Sequence, residues 1–122
     1  MAELNHTIVP ARDPLASAEF LAGILGLAVS PPVAHFTPVV LANEVTLDYD
    51  RAETFEPHHY AFLVSDEEFD AAFARIEGAG LTYYADPACR KPGEIYTSNG
   101  TRKGVYFRDV NGHLLEILTP VR

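Results

Sequence analysis

The chain has 122 residues, 48% of them apolar, which suits one small domain with a single hydrophobic core. Nine basic residues stand against seventeen acidic ones, and the resulting net charge of -8 argues against nucleic acids and anionic membranes as partners, since both attract positive charge. Cys89 is the only cysteine, so an intrachain disulfide and a multi-thiolate metal site are excluded.

The N-terminus, MAELNHT, lacks the basic region followed by an apolar run that marks a secretory signal. The longest apolar stretch, LAGILGLAV, is too short to cross a bilayer. We therefore expect a cytoplasmic protein without a membrane partner.

The first half of the chain predicts a strand, a helix and three further strands. Residues 4–9 are apolar and β-branched enough for a strand, and Asp13 followed by Pro14 is a typical helix start. Gly26 suits the end of that helix. Short β-type segments then follow at Val33–Phe36, Pro38–Leu41 and Glu44–Tyr49.

The second half repeats this order. Residues 58–64 predict a strand, and Ser65 with Glu68 forms a capping box that begins a helix ending near Gly78 and Gly80. Three more strands are predicted at Leu81–Ala85, Gly104–Arg108 and His113–Thr119, the last two joined by an Asn-Gly turn.

The two halves have nearly constant spacing. The interval from His6 to His59 almost equals the interval from the cap Asp13 to the cap Ser65. We therefore predict an α+β fold of duplicated modules, the first at about residues 1–50 and the second at about 56–119, within one domain spanning 1–122.

A long connection from Asp86 to Lys103 has no hydrophobic period, and loops of this length are commonly lids or binding segments. It contains four of the nine basic residues. Two interpretations remain open, a solvated loop and a cationic lid over an anionic or oxygen-rich ligand. The four residues are Arg90, Lys91, Arg102 and Lys103.

Three candidate metal ligands lie on three separate predicted strands: His6, His59 and Glu116. Two imidazoles and one carboxylate form a ligand set that leaves positions open for substrate. Strand alternation places Glu116 on an apolar face between leucines, where an unpaired carboxylate would be costly to bury. A metal, an arginine or a bound proton would each remove that cost.

Each candidate also has a structural interpretation. His6 would simply be exposed, His59 would cap a strand edge with His58, and Glu116 would pair with Arg108 across the hairpin. The coincidence of all three candidate ligands with a duplicated fold favours a metal site.

The segments LNHTIVPARDPLASAEFLAGILGL, HHYAFLVSDEEFDAAFARIEGAGL and GVYFRDVNGHLLEIL resemble those of the vicinal oxygen chelate superfamily. That superfamily includes glyoxalase I, type I extradiol ring-cleavage dioxygenases, fosfomycin-resistance transferases and bleomycin-binding proteins. The resemblance implies two tandem βαβββ modules whose mixed, curved sheets form a metal-holding cup. It also implies that His6, His59 and Glu116 are the metal ligands.

Two-module members commonly form homodimers in which the first module of one subunit faces the second module of the other. By that resemblance, each site would take His6 from one chain and His59 with Glu116 from its partner.

Four chemistries remain open under this resemblance. A glyoxalase needs a further glutamate, and the matching position is expected at Thr46, with Glu44 or Asp48 near the same face. A fosfomycin transferase needs basic residues where Tyr96 and Gly100 stand. A bleomycin-type protein would bind a cationic drug without metal, which the net charge of -8 would favour.

Extradiol dioxygenases are similar in the tandem histidine, the ligand set and a tyrosine ten residues before the glutamate, here Tyr106. The acid/base histidine of those enzymes has no counterpart, because His35 lies on an earlier strand. We expect a metal-dependent enzyme of this kind, with Fe(II) as first choice and Mn, Ni or Zn as alternatives, acting on a small molecule with vicinal oxygens. Tyr106 is assigned to catalysis, and substrate binding is assigned to Thr46, Arg90, Tyr96, Arg102 and Lys103.

Overall fold

A computed structural model describes residues 1–121. The chain divides into two compact units, the first at Met1–Glu56 and the second beginning at Pro57. Each unit contains one helix and one sheet of mixed strand direction, so the predicted α+β class is confirmed. Within the described residues, no helix is both long and apolar enough to cross a membrane.

The first unit consists of strand β1 (His6–Ala11), helix α1 (Pro14–Leu25), strand β2 (Thr37–Val40) and strand β3 (Thr46–Arg51). The order in its sheet is β1-β3-β2, with β1 parallel and β2 antiparallel to β3.

Helix α1 begins and ends where the sequence predicts. The side chain of Asp13 accepts a hydrogen bond from the backbone N–H of Ala16, and Pro14 occupies the first turn. Gly26 follows with a φ of 72°, a left-handed conformation that glycine adopts at little cost.

The second unit has six elements. They are strand β4 (His59–Leu63), helix α2 (Asp66–Gly78) and strands β5 (Tyr83–Tyr84), β6 (Tyr96–Ser98), β7 (Arg102–Arg108) and β8 (Leu114–Leu118). The sheet order is β4-β8-β7-β5, and β6 pairs with β7. Strand β4 is parallel to β8, so that two segments distant in sequence become neighbours.

The predicted capping box of α2 is confirmed. Ser65 Oγ accepts from the Glu68 N–H at 3.1 Å, while a Glu68 carboxylate oxygen accepts from the Ser65 N–H at 2.8 Å. The helix buries Phe69, Ala72 and Ile76. Its orientation therefore fixes which face of the second sheet is covered.

Two segments differ from the sequence prediction, one expected as a strand and one expected as a loop. Val33–Phe36 is a tight reversal, in which Val33 and Phe36 pair with each other and Ala34 adopts a φ of 53°. The expected loop from Asp86 to Lys103 contains β6 and the first residues of β7. Whether each segment forms a strand depends on its pairing with other segments. A local sequence pattern contains no information on that pairing.

Alternation along the strands separates two faces in each sheet. In the first unit, Val9, Val39 and Leu47 are buried, whereas His6 and Ile8 on the opposite face are exposed. In the second unit, the buried side chains are Phe62, Val105, Phe107, Leu115 and Ile117. The opposite face of the second sheet carries His59, Ala61, Tyr106 and Glu116.

Candidate metal centre

His59 begins strand β4 and is the parallel partner of Leu114 on β8. Its Nδ1 lies 2.9 Å from the Leu114 carbonyl oxygen. Because a carbonyl oxygen only accepts hydrogen bonds, Nδ1 must carry the proton in this contact. The lone pair of neutral His59 is therefore on Nε2, the nitrogen that faces Glu116.

Glu116 occupies the middle of β8, with Ala61 as its partner on β4 and Tyr106 as its partner on β7. Its Oε1 lies 3.2 Å from His59 Nε2. The small side chain of Ala61 leaves space beside this pair. Only 9% of the Glu116 side chain is exposed, against 46% for His59, so the pair is accessible chiefly from the imidazole side.

Two tyrosines stabilise the buried carboxylate. Tyr96 donates its hydroxyl to Glu116 Oε2 at 2.5 Å, and Tyr106 also hydrogen-bonds Glu116. These contacts offset the desolvation cost of a buried charge. Arg108, the alternative partner considered from the sequence, donates instead to the Gly112 carbonyl and contacts Cys89 Sγ.

The same contacts keep both phenols protonated. Burial, the hydrogen bond to Glu116 and the charge of Glu116 raise the pKa of Tyr96 well above its ordinary value, although the Arg102 charge opposes the shift. The pKa of Tyr106 is raised by burial, by the charge of Glu116, by the hydrogen bond to it and by the charge of Asp86. Both hydroxyls are thus hydrogen-bond donors at neutral pH.

His6 lies at the start of β1 in the first unit, with Nδ1 2.7 Å from the Asn5 side-chain oxygen. It borders an open groove of about 470 Å³. None of the described residues that line this groove is lysine or arginine. The apolar lining residues are Pro31, Pro32, Val33, Phe36, Pro38 and Val40, and the polar ones are Asn5, His6, Ser30, Thr46 and Asp48.

The structure brings two of the three predicted ligands together, His59 and Glu116. Among residues 1–121 it assembles no group of three His, Cys, Asp or Glu side chains that could hold a metal. The three-ligand set that includes His6 therefore remains a prediction.

The strand registers show that the carboxylate position of the first unit lies two residues after Thr46, the position predicted from the sequence. His6 pairs with Thr46 just as His59 pairs with Leu114. The first-unit counterpart of Glu116 is consequently Asp48, and Thr46 is the counterpart of Leu114. Asp48 is a carboxylate that lines the groove, so a histidine and an acid occupy matching register positions in the two units.

The residues assigned to substrate binding have varied environments. Thr46 lines the groove, and Tyr96 contacts Glu116. Arg102 donates from Nε to the Thr119 carbonyl at 2.8 Å, while Arg90 is exposed and its backbone N–H is held by Asp86. Their roles toward a substrate stay predictions.

Lys103 lies on the helix-covered face of the second sheet. Its Nζ contacts Asp70 of α2 at 2.9 Å and lies 5.0 Å from the centre of the Phe69 ring. Neighbouring strand residues point to opposite faces, so this position argues against a contact with a ligand at Glu116.

Comparison with known proteins gives consistent matches along the chain. The sequence is 31% identical to glutathione transferase FosA of Serratia marcescens, over 96% of this chain and 80% of that protein. It is 33% identical to metallothiol transferase FosB of Shouchella clausii (strain KSM-K16), over 76% of this chain and 61% of that protein. The solved structure of oxidase ChaP-H2 is 57% identical, with a TM-score of 0.94 over 98% of this chain and 94% of that one.

The sequence profile of one superfamily covers almost the whole chain, matching residues 3–117. This span includes both units and all three predicted metal ligands. The paired registers of β1 with β3 and of β4 with β8 fit the same duplicated architecture. The chain belongs to the Glyoxalase/Bleomycin resistance protein/Dioxygenase superfamily.

Proposed function

We propose that this protein is a divalent-metal-dependent enzyme that oxidises a small substrate bound through two neighbouring oxygens, most like an extradiol ring-cleavage dioxygenase. The observation that carries the proposal is the 3.2 Å pairing of His59 Nε2 with Glu116 Oε1 on one sheet face, beside Tyr106. The 57% identity to oxidase ChaP-H2 supports oxidative chemistry over the other activities of the superfamily.

The donor set fits a divalent ion. An imidazole nitrogen whose other ring nitrogen donates to a carbonyl is the usual form of a metal-bound histidine, and carboxylate oxygen is its usual companion. We assign His59, Glu116 and His6 as ligands, with His6 supplied by the partner in a homodimer. When bound, the ion would act as a Lewis acid toward two substrate oxygens. Fe(II) is the preferred metal for such chemistry, and Mn, Ni and Zn are the alternatives.

Tyr106 is the residue assigned to act on the substrate. Its ring centre lies 5.9 Å from that of His59, and it shares the sheet face of Glu116. Since its pKa is raised, its hydroxyl keeps its proton at neutral pH, and turning this single O–H from Glu116 to a substrate oxygen would donate a hydrogen bond there.

The groove beside His6 indicates the kind of substrate. The six apolar residues of its described lining suit the body of an aromatic ring, and the one charged residue of that described lining, Asp48, would repel an anion. This lining supports a neutral catechol-like substrate over a phosphonate. Thr46 would contribute a hydroxyl to such a substrate.

Thiol transfer to an epoxide antibiotic is the second candidate. It is favoured by the identities of 31% and 33% to FosA and FosB. The absence of lysine and arginine from the described lining of the groove weighs against it.

Metal uptake and oxygen consumption test the proposal together. Equilibrium dialysis against Fe(II), under anaerobic conditions, and against Mn(II), Ni(II) and Zn(II) measures binding to the wild type and to Glu116→Ala. An oxygen electrode then compares 1,2-dihydroxynaphthalene with 2-naphthol, which lacks the second oxygen. We expect uptake of micromolar or tighter affinity that Glu116→Ala abolishes, and oxygen consumption with the diol only.

Other outcomes identify the alternatives. Consumption of glutathione in the presence of fosfomycin and Mn(II), without oxygen uptake from the diol, would indicate the transferase. A wild-type protein that takes up none of the four metals would contradict the enzyme proposal and favour a metal-free drug-binding protein.

A further inference from the structure

Gly104 and Tyr96 are cross-strand partners on β7 and β6. A Cβ atom built on Gly104 would overlap the ring and hydroxyl of Tyr96, so the tyrosine lies directly over the glycine backbone. The backbone at Gly104 is outside the left-handed region, unlike that of Gly100 or Gly112. Glycine at this position therefore makes room for the Tyr96 ring and is not needed for backbone conformation, so that a larger residue would displace the ring.

The position over Gly104 brings the Tyr96 hydroxyl to one particular oxygen of Glu116. The hydroxyl donates to Oε2 at 2.5 Å, a length typical of hydrogen bonds to a charged carboxylate. The other oxygen, Oε1, faces His59 Nε2. The two carboxylate oxygens thus differ in their partners: Oε2 accepts from Tyr96 and Oε1 faces His59 on the predicted metal side, while Tyr106 also hydrogen-bonds the carboxylate.

We propose that Tyr96 and Gly104 act as a positioning pair that fixes Glu116 as a metal ligand through Oε1 alone. The inference rests on the metal-dependent function proposed above. Gly104 leaves space for the Tyr96 ring, and the Tyr96 hydroxyl hydrogen-bonds Glu116 Oε2. This hydrogen bond would keep Oε2 from rotating toward the metal. Tyr96 acts in this pair as a positioning residue, since its hydroxyl contacts Glu116.

The ring contacts of Tyr96 distinguish this role from simple packing. Its ring centre lies 5.7 Å from that of Tyr106, a contact that phenylalanine would preserve. Tyr96→Phe therefore removes the hydrogen bond to Glu116 while keeping the ring in place. Gly104→Ala removes the same hydrogen bond by displacing the ring.

Mn(II) binding measured by electron paramagnetic resonance tests the pair without an activity assay, because only free Mn(II) gives the strong six-line signal. Partners of metal ligands typically change affinity by about 10- to 100-fold when they are removed. We expect Tyr96→Phe and Gly104→Ala each to weaken Mn(II) binding within that range. The double variant should bind no more weakly than the weaker single variant, because both changes remove one interaction.

Thr97→Val is the matched control. Thr97 lies on the same short strand, is exposed, and pairs with Lys103 on β7. Strand alternation directs it away from Glu116, so this variant should bind Mn(II) like the wild type. Thermal unfolding of each protein confirms that the folded state is being compared.

The outcomes separate this inference from the proposed function. Wild-type affinity in Tyr96→Phe, when Glu116→Ala abolishes binding, would overturn the positioning pair and leave the enzyme proposal intact. Fully additive losses in the double variant would remove Gly104 from the pair. A wild-type protein that does not bind Mn(II), Fe(II), Ni(II) or Zn(II) would overturn both.

Discussion

His58 and His59 are adjacent in the chain, but their side chains serve opposite faces of the second sheet. His59 Nε2 lies 3.2 Å from Glu116 Oε1. His58 Nδ1 lies 2.7 Å from the Tyr60 hydroxyl, and its ring packs 5.2 Å from that of His113. Because successive side chains of extended backbone point to opposite faces, His59 is a candidate ligand and His58 is a packing residue.

The tandem histidine supplies a matched pair of variants. His59→Ala should weaken Mn(II) binding by at least about 100-fold, since it removes a ligand and not only a partner of one. His58→Ala should keep wild-type affinity, although it loses the contact with Tyr60. Equilibrium dialysis measures both. Equal losses in the two variants would contradict the assignment of His59 as the ligand.

A shared site predicts recovery of metal binding in mixed dimers. His6→Ala and Glu116→Ala are each expected to abolish binding. In a twofold dimer with crossed sites, a heterodimer of these variants contains one fully mutated site and one intact site. Random exchange makes half of the dimers mixed, so about one quarter of the wild-type Mn(II) capacity should return.

Two differently tagged variants allow the mixed dimer to be isolated, which also shows that exchange has occurred. The separate homodimers are the controls and should stay without metal. No recovery in the purified mixed dimer would show that each site draws its ligands from one chain, whereas metal binding by the His6→Ala homodimer would show that His6 is not a ligand.

Local chemistry predicted the helices well, because their ends are set by residues close in sequence. Asp13 and Ser65 accept backbone hydrogen bonds at the predicted helix starts. Strand β6 was missed, since Tyr96–Ser98 is a three-residue segment with no hydrophobic pattern of its own. It is stabilised by pairing with β7 and by the bond from Tyr96 to Glu116, both long-range contacts.

The site was only partly predictable for a similar reason. Strand alternation predicted that His59 shares a face with Ala61 and that Glu116 shares a face with Leu114 and Leu118. The proximity of His59 to Glu116, however, depends on the parallel pairing of β4 with β8. The correspondence of Asp48 with Glu116 required the register of β1 against β3. A shift of two residues preserves the face of a strand, so the side-chain pattern alone cannot distinguish Thr46 from Asp48.

The turn between β7 and β8 depends on a buried carboxylate. Asp109 is 8% exposed, and its Oδ1 accepts from the backbone N–H groups of Asn111 and His113, each at 2.9 Å. Asp109→Ala leaves both donors without this acceptor, and an unsatisfied buried group costs about 1 to 3 kcal/mol. We expect the free energy of unfolding in urea to fall by about 2 to 4 kcal/mol.

Val110→Ala is the control for this turn, because Val110 is 67% exposed and surface substitutions usually change stability by less than about 0.5 kcal/mol. Asp109→Asn keeps one oxygen acceptor and should lose less stability than Asp109→Ala. A loss in Asp109→Ala as small as that in Val110→Ala would show that the carboxylate does not hold the turn.

Tyr60 should make the protein sensitive to alkali. Burial, followed by the negative charge of Asp109, raises the pKa of Tyr60 to about 12 from its ordinary value of 10.0. Between these values the unfolded chain releases the phenolic proton while the folded chain retains it, so the stabilisation present below pH 10 is lost as the pH rises toward 12. Urea unfolding at several pH values from 9 to 11.5 should therefore give a falling free energy of unfolding, with a shallower fall in Tyr60→Phe. The slope should not vanish in that variant, because the raised pKa values of Tyr96 and Tyr106 act in the same direction. Identical slopes for the variant and the wild type would exclude Tyr60 as a source of the alkaline instability.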